Sequence, residues 1–290
     1  MRKQILIRTL LGSGNLDFSI ECLSSFLTNS YDDLRLEIFE DGSLKTEEIL
    51  RLESSLKKTT VITRKSREER VLQALSGYPK CLEFRASNVM TFKLFDTMLQ
   101  DKEKFIYLDT DVFFLQKFIL PDLASFPIFM QDNQVAFSFN PIDFLKVKIN
   151  VMAKFNAGFY YFPLEQFDLH FIESTLNAVY PKQMLSHVWA EQTMWAFLAA
   201  RTTSKTHYLH PKQVVISSHD LVPNKDLIAV HLVSAARHQF VNVKSYAKDL
   251  EGNETFTPIL LTEGTYLSKT GFIQNRLVTK FKSGLRRLKQ

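Results

Sequence analysis

Hydrophobic and polar positions alternate in two periods along the first hundred residues. Short apolar runs rich in Ile, Leu and Phe predict strands, and apolar residues three or four positions apart predict helices. The predicted strands are residues 4–11, 34–40, 59–62 and 104–108, and the predicted helices are 16–29, 46 to about 56, 64–75 and 89–99. Because strands and helices alternate, the pattern predicts an α/β fold with a mostly parallel central sheet flanked by helices.

The second half of the chain has a less regular pattern. Strands are predicted at 135–139, 158–162 and 227–233, and helices at 164–179 and 190–201. Residues 241–275 show no clear period. We therefore expect one large globular domain over residues 1–240, which would be the catalytic domain. A C-terminal extension over 241–275 would pack on it, and a basic tail would follow over 276–290.

Two carboxylates, Asp109 and Asp111, directly follow the predicted strand 104–108, and Lys93 precedes Asp109 by sixteen residues. Ligands of parallel sheets bind beyond the carboxyl ends of the strands. Carboxylates one residue apart suit Mg²⁺ or Mn²⁺, whose remaining positions are filled by water and substrate phosphates. A D-x-D triplet alone is a weak signal, because acidic residues are common where strands end. The apolar runs on both sides of this one favour a cation site that handles a diphosphate.

Five further polar residues are candidates, and each has an ordinary structural explanation as well. Asp41 could face a ribose or base, or could simply form the turn that Asp-Gly-Ser favours. Asn156, in an Asn-Ala-Gly segment whose small residues allow close backbone approach, could border a ligand or form a tight turn before a strand. Glu191 and Gln192 could face a pocket, or be a first-turn acid and a solvated amide. His231, inside an apolar strand, could be a metal ligand or a buried core histidine.

Composition supports a large core and locates the positive charge at one end. The chain has 290 residues, 45% of them hydrophobic, with 25 phenylalanines, which argues against disorder. Six basic and no acidic residues lie between positions 276 and 290, so the formal net charge of +5 becomes −1 for residues 1–275. Residues 1–275 therefore lack the excess of basic residues that is typical of nucleic-acid-binding domains.

Cysteine usage and hydropathy bear on the compartment. Cys22 and Cys81 have no metal-ligand spacing and fit a reducing compartment. Arg8 interrupts the N-terminal apolar stretch, which therefore predicts a first strand better than a signal peptide. Since no run of 18 apolar residues occurs, we expect a cytoplasmic protein without a transmembrane helix.

The tail over residues 276–290 has an amphipathic pattern. On a helix, its apolar residues fall on one stripe, with basic residues around the remainder: Leu277, Phe281, Leu285 and Leu288. This pattern is typical of a helix that lies on an anionic membrane surface. It predicts peripheral association at the inner face of the membrane; the alternative is a frayed cationic tail.

Taken in order, the segments K-L, LDTD, FNAG, EQ, H and R resemble the metal-dependent retaining glycosyltransferases of the GT-A fold. The likeness is greatest to the family of glycogenin and the bacterial lipopolysaccharide galactosyltransferases. It is most specific over residues 84–116 and extends in pieces from 1 to about 240. It implies transfer of a hexose from a nucleotide-diphosphate sugar, a UDP-sugar, to a saccharide or glycolipid acceptor with retention, and a role in lipopolysaccharide biosynthesis.

The resemblance implies a role for each matching residue around the diphosphate. Asp109, Asp111 and His231 would bind Mn²⁺ or Mg²⁺. Arg237, six residues after the histidine where the family has a lysine, would contact the diphosphate through its guanidinium fork. Lys93 would contact the diphosphate or sugar hydroxyls, and is expected to be catalytic.

Other residues would surround the donor. Asn156 would border the donor sugar or acceptor, and Glu191 and Gln192 match an Asp-Gln pair that lies against the donor sugar and is expected to be catalytic. The remaining residues expected to contact the donor are Thr9, Asp41, Arg85 and Thr110.

The chain departs from the family pattern in three places. Glu191 stands where the family has aspartate. The segment LVSAAR after His231 lacks the usual glycine. The opening segments LLGSGN and EDGSL look more like inverting GT-A enzymes, so an inverting outcome is the alternative to retention.

Two other functions are compatible with parts of the pattern. A haloacid-dehalogenase-type phosphatase also has a strand followed by D-x-D, but that motif requires Thr or Val where this chain has Phe113, and the later G-D-x-x-x-D is missing. A GT-A module that binds sugar nucleotides without turnover is the non-enzymatic alternative; the intact acidic pair and His231 argue against it.

Overall fold

The computed structural model describes residues 4–123, 125–139, 141–179, 185–202, 204–217, 224–250 and 254–274. The α-helices within them are α1 Leu16–Asn29, α2 Thr46–Ser55, α3 Arg64–Leu75, α4 Pro79–Ser87, α5 Pro141–Lys146, α6 Leu169–Val179, α7 Ala190–Arg201 and α8 Phe240–Asp249. The strands are β1 Gln4–Leu11, β2 Asp33–Glu40, β3 Thr59–Ile62, β4 Phe105–Leu108, β5 Val112–Phe114, β6 Phe118–Ile119, β7 Ile128–Gln131, β8 Val151–Met152, β9 Phe155–Tyr161, β10 His207–Leu209, β11 Val214–Ile216, β12 Ala229–His231, β13 Thr257–Pro258, β14 Leu261–Glu263 and β15 Tyr266–Leu267. Short 3-10 helices span Val89–Lys93, Leu164–Gln166 and Ser234–Gln239.

An eight-stranded sheet in the order β14-β10-β7-β9-β4-β1-β2-β3 forms the centre of the molecule. Six of these strands point the same way, and only β9 and β14 oppose them. The predicted α/β fold with a mostly parallel, helix-flanked sheet is therefore confirmed.

Alternate residues of the central strands pack on opposite faces of this sheet, as the pleat requires. Leu6 and Tyr107 belong to the core that covers one face with α3, α4, α6 and α7. Ile7, Ile106 and Leu108 belong to the core on the other face, with α1 and α2. Because both faces are covered, most residues of these strands are apolar. The exceptions include Arg8 on β1 and Glu37 on β2, which are buried as an ion pair at 2.9 Å.

Several predicted elements have the observed bounds, including Gln4–Leu11, Leu16–Asn29, Arg64–Leu75 and Ala190–Arg201. Local signals set these bounds: the Thr63 hydroxyl, for example, accepts from the Ser66 amide at 3.2 Å and caps α3. Others are shorter than predicted, since residues 164–168 stay outside α6 and β12 spans three residues. Helix α4 was missed, although its proline at the first turn is a usual helix start.

The predicted amphipathic helix 89–99 is wrong. Only Val89–Lys93 is helical, as a 3-10 helix, and residues 94–98 in the turns that follow are all buried. The Lys93 carbonyl accepts from the hydroxyls of Thr97 at 2.6 Å and Tyr160 at 2.8 Å, while the Thr97 amide bonds to the Phe92 carbonyl. These side-chain hydrogen bonds compete with the regular helical ladder.

The predicted strand 135–139 is also wrong. This segment lies over the start of α7, where the Ala136 carbonyl accepts from Gln192 Nε2 at 3.2 Å and the Ser138 amide donates to Thr193 Oγ1 at 3.1 Å. Side chains of a helix thus satisfy its backbone groups, and no sheet neighbour is needed.

The C-terminal part contributes directly to the sheets. β14 is an edge strand of the central sheet, and α8 packs in a small core with Val230 and Leu232. The predicted division at residue 240 stays a prediction. The whole of the predicted basic tail, residues 276–290, lies outside the described residues. None of the described helices combines the length and apolar character needed to cross a membrane.

Candidate active site

Two sheets place the acidic pair next to a histidine that is distant in sequence. Asp109 and Asp111 lie between β4, in the central sheet, and β5, in a three-stranded sheet of order β11-β12-β5. The antiparallel register sets His231 opposite Val112, and the Leu232 amide donates to the Asp111 carbonyl at 2.8 Å. His231 is thereby fixed beside the carboxylates.

Asp109, Asp111 and His231 offer ligand atoms that all lie within 4.8 Å of one another. His231 Nε2 is 2.9 Å from Asp111 Oδ1 and 3.8 Å from Asp109 Oδ2. Two carboxylate oxygens and one imidazole nitrogen are a donor set that Mn²⁺ accepts, with positions left for substrate oxygens. The residues present therefore fit a divalent cation.

Two cationic side chains flank this group. Lys93, which is buried, donates to both oxygens of Asp109 at 3.0 and 3.1 Å and lies 3.8 Å from Glu191 Oε2. Arg237 is half-exposed and donates to Asp111 Oδ2 at 3.0 Å. Each carboxylate is thus paired with a cation.

Two stacked tyrosines hold Lys93 and Asp109 in place. Tyr107 and Tyr160 lie on neighbouring strands with ring centroids 4.8 Å apart. The Tyr107 hydroxyl donates to Asp109 Oδ1 at 3.0 Å and accepts from the Leu10 amide at 3.2 Å. The Tyr160 hydroxyl donates to the Lys93 carbonyl. The two stacked tyrosines thus hold both residues of the Lys93–Asp109 ion pair.

Gly158 makes room for the histidine. A Cβ at this position would lie 2.3 Å from His231 Cε1 and 2.9 Å from Asn156 Oδ1. The Gly158 carbonyl also accepts from the Asp109 amide at 2.7 Å. Any larger residue would have to displace the imidazole, because real Cβ atoms do not approach other atoms this closely.

The charges in the site stabilise one another. Burial alone would raise the pKa of Asp111, but His231 and Arg237 outweigh it and lower that pKa to about 2. Burial opposes a charged His231, but Asp111 and Asp109 outweigh it and raise the histidine pKa. Burial likewise opposes a charged Lys93, and the neighbouring Asp109 and Glu191 carboxylates raise the lysine pKa. The charges of these residues thus favour ionised pairs.

Glu191 behaves differently from the other carboxylates. Burial raises its pKa from 4.5 to about 7, because Lys93 compensates only in part and Asp109 adds repulsion. Its Oε1 atom is buried without a hydrogen-bond partner among the described residues. A buried carboxyl group with a raised pKa and a free oxygen is typical of a functional site, where a bound ligand can donate a hydrogen bond to it.

Two cavities meet at the acidic pair. The smaller, of about 210 Å³, and the larger, of about 790 Å³, share four lining residues: Met90, Asp109, Asp111 and Arg237. A molecule with a charged centre and groups on both sides can therefore span the two cavities across the carboxylates.

The structure brings most of the predicted site residues to this cleft. Asp41 and Thr110 line the smaller cavity; Asn156, Glu191 and Gln192 line the larger one. Asp41 also forms the turn considered as its alternative role, because its Oδ1 accepts from the Ser43 amide at 2.9 Å.

Thr9 and Arg85 do not line either cavity. Thr9 is buried within β1. The Arg85 guanidinium bonds Asp96 at 2.8 Å and Glu68 at 2.8 Å, beside a second buried pair of Arg67 and Asp96 at 2.7 Å. The structure gives these two residues no direct contact with a ligand in the cleft.

Sequence reasoning missed several residues of the cleft. Tyr107 and Gly158 act through contacts between strands, which no local pattern reveals. Asp132, which lines the larger cavity, directly follows β7 and could have been found by searching for carboxylates at strand ends. Trp189 also lines this cavity, two residues before Glu191.

No protein-family model and no curated protein sequence matches this chain. Among solved structures, its fold is similar to that of the galactosyltransferase LgtC in complex with donor and acceptor sugar analogs. The TM-score is 0.51 at 12% identity, covering 84% of this chain and 96% of that one. An LgtC active-site mutant with glutamine replaced by glutamate gives a TM-score of 0.51 at 11% identity, covering 83% and 95%. The chain thus has the GT-A fold that the resemblance predicted.

Proposed function

We propose that the protein is a metal-dependent glycosyltransferase that moves a hexose from a UDP-sugar to a saccharide or glycolipid acceptor. The observation that carries this proposal is the group of Asp109, Asp111 and His231, flanked by Lys93 and Arg237, where two cavities of a GT-A fold meet. No other feature of the described residues suits a diphosphate as well.

Asp109, Asp111 and His231 would hold Mn²⁺ or Mg²⁺. When bound, the cation would act as a Lewis acid that offsets negative charge on the diphosphate. His231 must release its proton to become a ligand, so we expect cation binding to release protons near neutral pH.

Lys93 and Arg237 would bind the diphosphate and stabilise the charge that develops as the nucleoside diphosphate departs. In the free protein these cations are paired with Asp109 and Asp111. Donor binding would exchange these ion pairs for contacts to phosphate oxygens. Arg237 is the more mobile candidate because nearly half of its side-chain surface is exposed.

The two cavities suggest where each part of the donor binds. The nucleoside would occupy the smaller cavity beside Asp41 and Thr110. The hexose would occupy the inner part of the larger cavity beside Asn156, Glu191 and Gln192. The remaining volume of the larger cavity, about 790 Å³ in all, leaves space for an acceptor.

The transfer we propose proceeds with retention. The acceptor hydroxyl attacks C1 of the hexose on the face from which the diphosphate departs, and a leaving phosphate oxygen takes the hydroxyl proton. Glu191 and Gln192 would stabilise positive charge on the sugar ring. An inverted product, identified by NMR of the new anomeric centre, would overturn this stereochemistry.

The main test measures Mn²⁺-dependent release of nucleoside diphosphate from a panel of UDP-sugars. We expect release by the natural protein and loss of it in Asp109→Asn and Asp111→Asn, with Asp226→Asn, at an exposed position, as the control. Release of inorganic phosphate would favour a phosphatase, and tight binding without turnover would favour a non-catalytic module. Activity that survives both substitutions would refute the proposal.

A membrane-bound glycolipid acceptor, as in lipopolysaccharide biosynthesis, is supported by the basic amphipathic sequence 276–290. Such a protein would lie on the inner face of the membrane. Co-sedimentation with anionic vesicles should be lost when residues 276–290 are removed. Equal sedimentation of both forms would remove the membrane role.

A further inference from the structure

Three of the ten large apolar side chains that are exposed among the described residues lie together at the rim of the cleft. Val188 is 67% exposed and Trp189 37% exposed, and both line the larger cavity. Val89, 43% exposed, lines the smaller cavity next to them. Exposed apolar surface grouped beside a polar cleft marks a ligand contact more often than a chance cluster.

The two turns that carry these side chains are tied to each other and to α7. Asn88 Nδ2 donates to the His187 carbonyl at 3.2 Å, which joins the two turns. The Trp189 carbonyl accepts from the Thr193 amide at 2.9 Å and the Thr193 hydroxyl at 2.7 Å. The Trp189 amide donates to His187 Nδ1 at 3.1 Å. The indole therefore projects from a well-anchored backbone.

Polar side chains line the same cavity. Asp132, Asn133, Gln134 and Gln192 contribute carboxylate and amide groups to its wall. A ligand that matches this lining needs hydrogen-bonding edges together with an apolar face. A sugar ring has both, because its hydroxyls lie around the edge and its C–H bonds lie on the faces. A lipid chain would leave the polar groups unsatisfied.

We propose that Trp189 is the platform on which the acceptor sugar stacks, with one C–H face of the ring packed against the indole. The proposal rests on the glycosyltransferase function above. Trp189 is assigned to the acceptor, because Glu191, the residue assigned to the donor hexose, is buried beside Lys93 while Trp189 stands at the rim. The acceptor must enter from that side.

The chain offers an internal probe for this contact. It has two tryptophans, Trp189 at the rim and Trp195 fully buried in the core. A saccharide that stacks on Trp189 should change tryptophan fluorescence in the natural protein. The Trp189→Phe variant keeps only the buried indole and should lose this signal while keeping most of the saccharide affinity.

The experiment titrates maltose, lactose and methyl hexosides into protein saturated with UDP and Mn²⁺, and then measures transfer to the saccharides that bind. In Trp189→Ala we expect acceptor KM to rise roughly tenfold, the scale of a lost aromatic contact. The KM of the UDP-sugar donor should rise less than the acceptor KM, because the donor hexose is assigned to the buried Glu191 side of the cavity. Val241→Ala, at a position 75% exposed on α8, is the control.

The outcomes separate this inference from the function on which it rests. If the natural protein releases no UDP from any UDP-sugar, the proposed glycosyltransferase function is itself contradicted. Normal release with an unchanged acceptor KM in Trp189→Ala would overturn only the stacking role. The inference also fails if no saccharide binds the natural protein, or if dodecyl phosphate, which has no sugar, produces the fluorescence change instead.

Discussion

Replacing Glu191 with glutamine should change how the stability of the metal-free protein depends on pH. Burial raises the pKa of Glu191 to about 7 in the folded protein, against an ordinary value of 4.5 in the unfolded chain. Between these values the folded state keeps a proton that the unfolded state releases. The stabilising contribution is therefore complete below about pH 4.5 and is lost as the pH rises through about 7.

The size of the effect follows from the two pKa values. Their difference corresponds to about 3 kcal/mol of unfolding free energy, since one pKa unit is about 1.4 kcal/mol. Glutamine has nearly the same shape and does not titrate. We therefore expect the natural protein to lose about 3 kcal/mol relative to Glu191→Gln between about pH 4.5 and about pH 8.

Urea unfolding in EDTA, followed by circular dichroism across this range, measures the difference directly. The contributions of the titrating groups that both proteins share cancel when the unfolding free energy of one protein is subtracted from that of the other. Glu69→Gln, at an exposed position on α3, controls for the removal of one carboxylate. The reasoning is refuted if the difference does not vary with pH, or if the natural protein gains stability relative to the variant as the pH rises. The second result would mean that attraction to Lys93 outweighs burial.

Three further substitutions, one of them with a surface control, test other parts of the structure. Gly158→Ala should displace His231 and weaken Mn²⁺ binding roughly tenfold or more, because overpacking costs about 1–3 kcal/mol; calorimetry with Mn²⁺ alone measures this, and unchanged affinity would contradict it. Asp96→Asn should lower the free energy of unfolding by roughly 3–5 kcal/mol, since it leaves two buried arginines without their shared carboxylate. Asp17→Asn, which removes an exposed ion pair, should cost under about 1 kcal/mol in the same urea assay, and equal losses would be inconsistent with burial as the cause. Lys93→Met should lower kcat for UDP release by roughly a hundredfold, the usual effect of removing one group that stabilises developing charge, and a change confined to KM would argue for ground-state binding only.

The parts of the fold that the sequence predicted well are those with local causes. Helix α3 begins where Thr63 can cap it, and β1 is a mainly apolar run that Arg8 and Thr9 interrupt. The irregular segment after Lys93 was not predictable in this way. Its path depends on hydroxyls of Thr97 and of Tyr160, the latter 67 residues away.

The sequence by itself determined that two carboxylates follow the apolar strand β4, which is the kind of residue and the kind of position that a cation site requires. It contained Asp109 and Asp111 after an apolar strand, and a family-like order of Lys93, His231 and Arg237 around them. These signals are local or depend only on order along the chain, so they can be read without coordinates.

Only the tertiary structure decided which of these residues meet. His231 and Asp111 are 120 residues apart, and their contact depends on the antiparallel pairing of β12 with β5. Gly158 opens space for the imidazole only because β9 pairs with β4. Sheet order and register arise from packing of the whole core, and a local hydrophobic period carries no information about them.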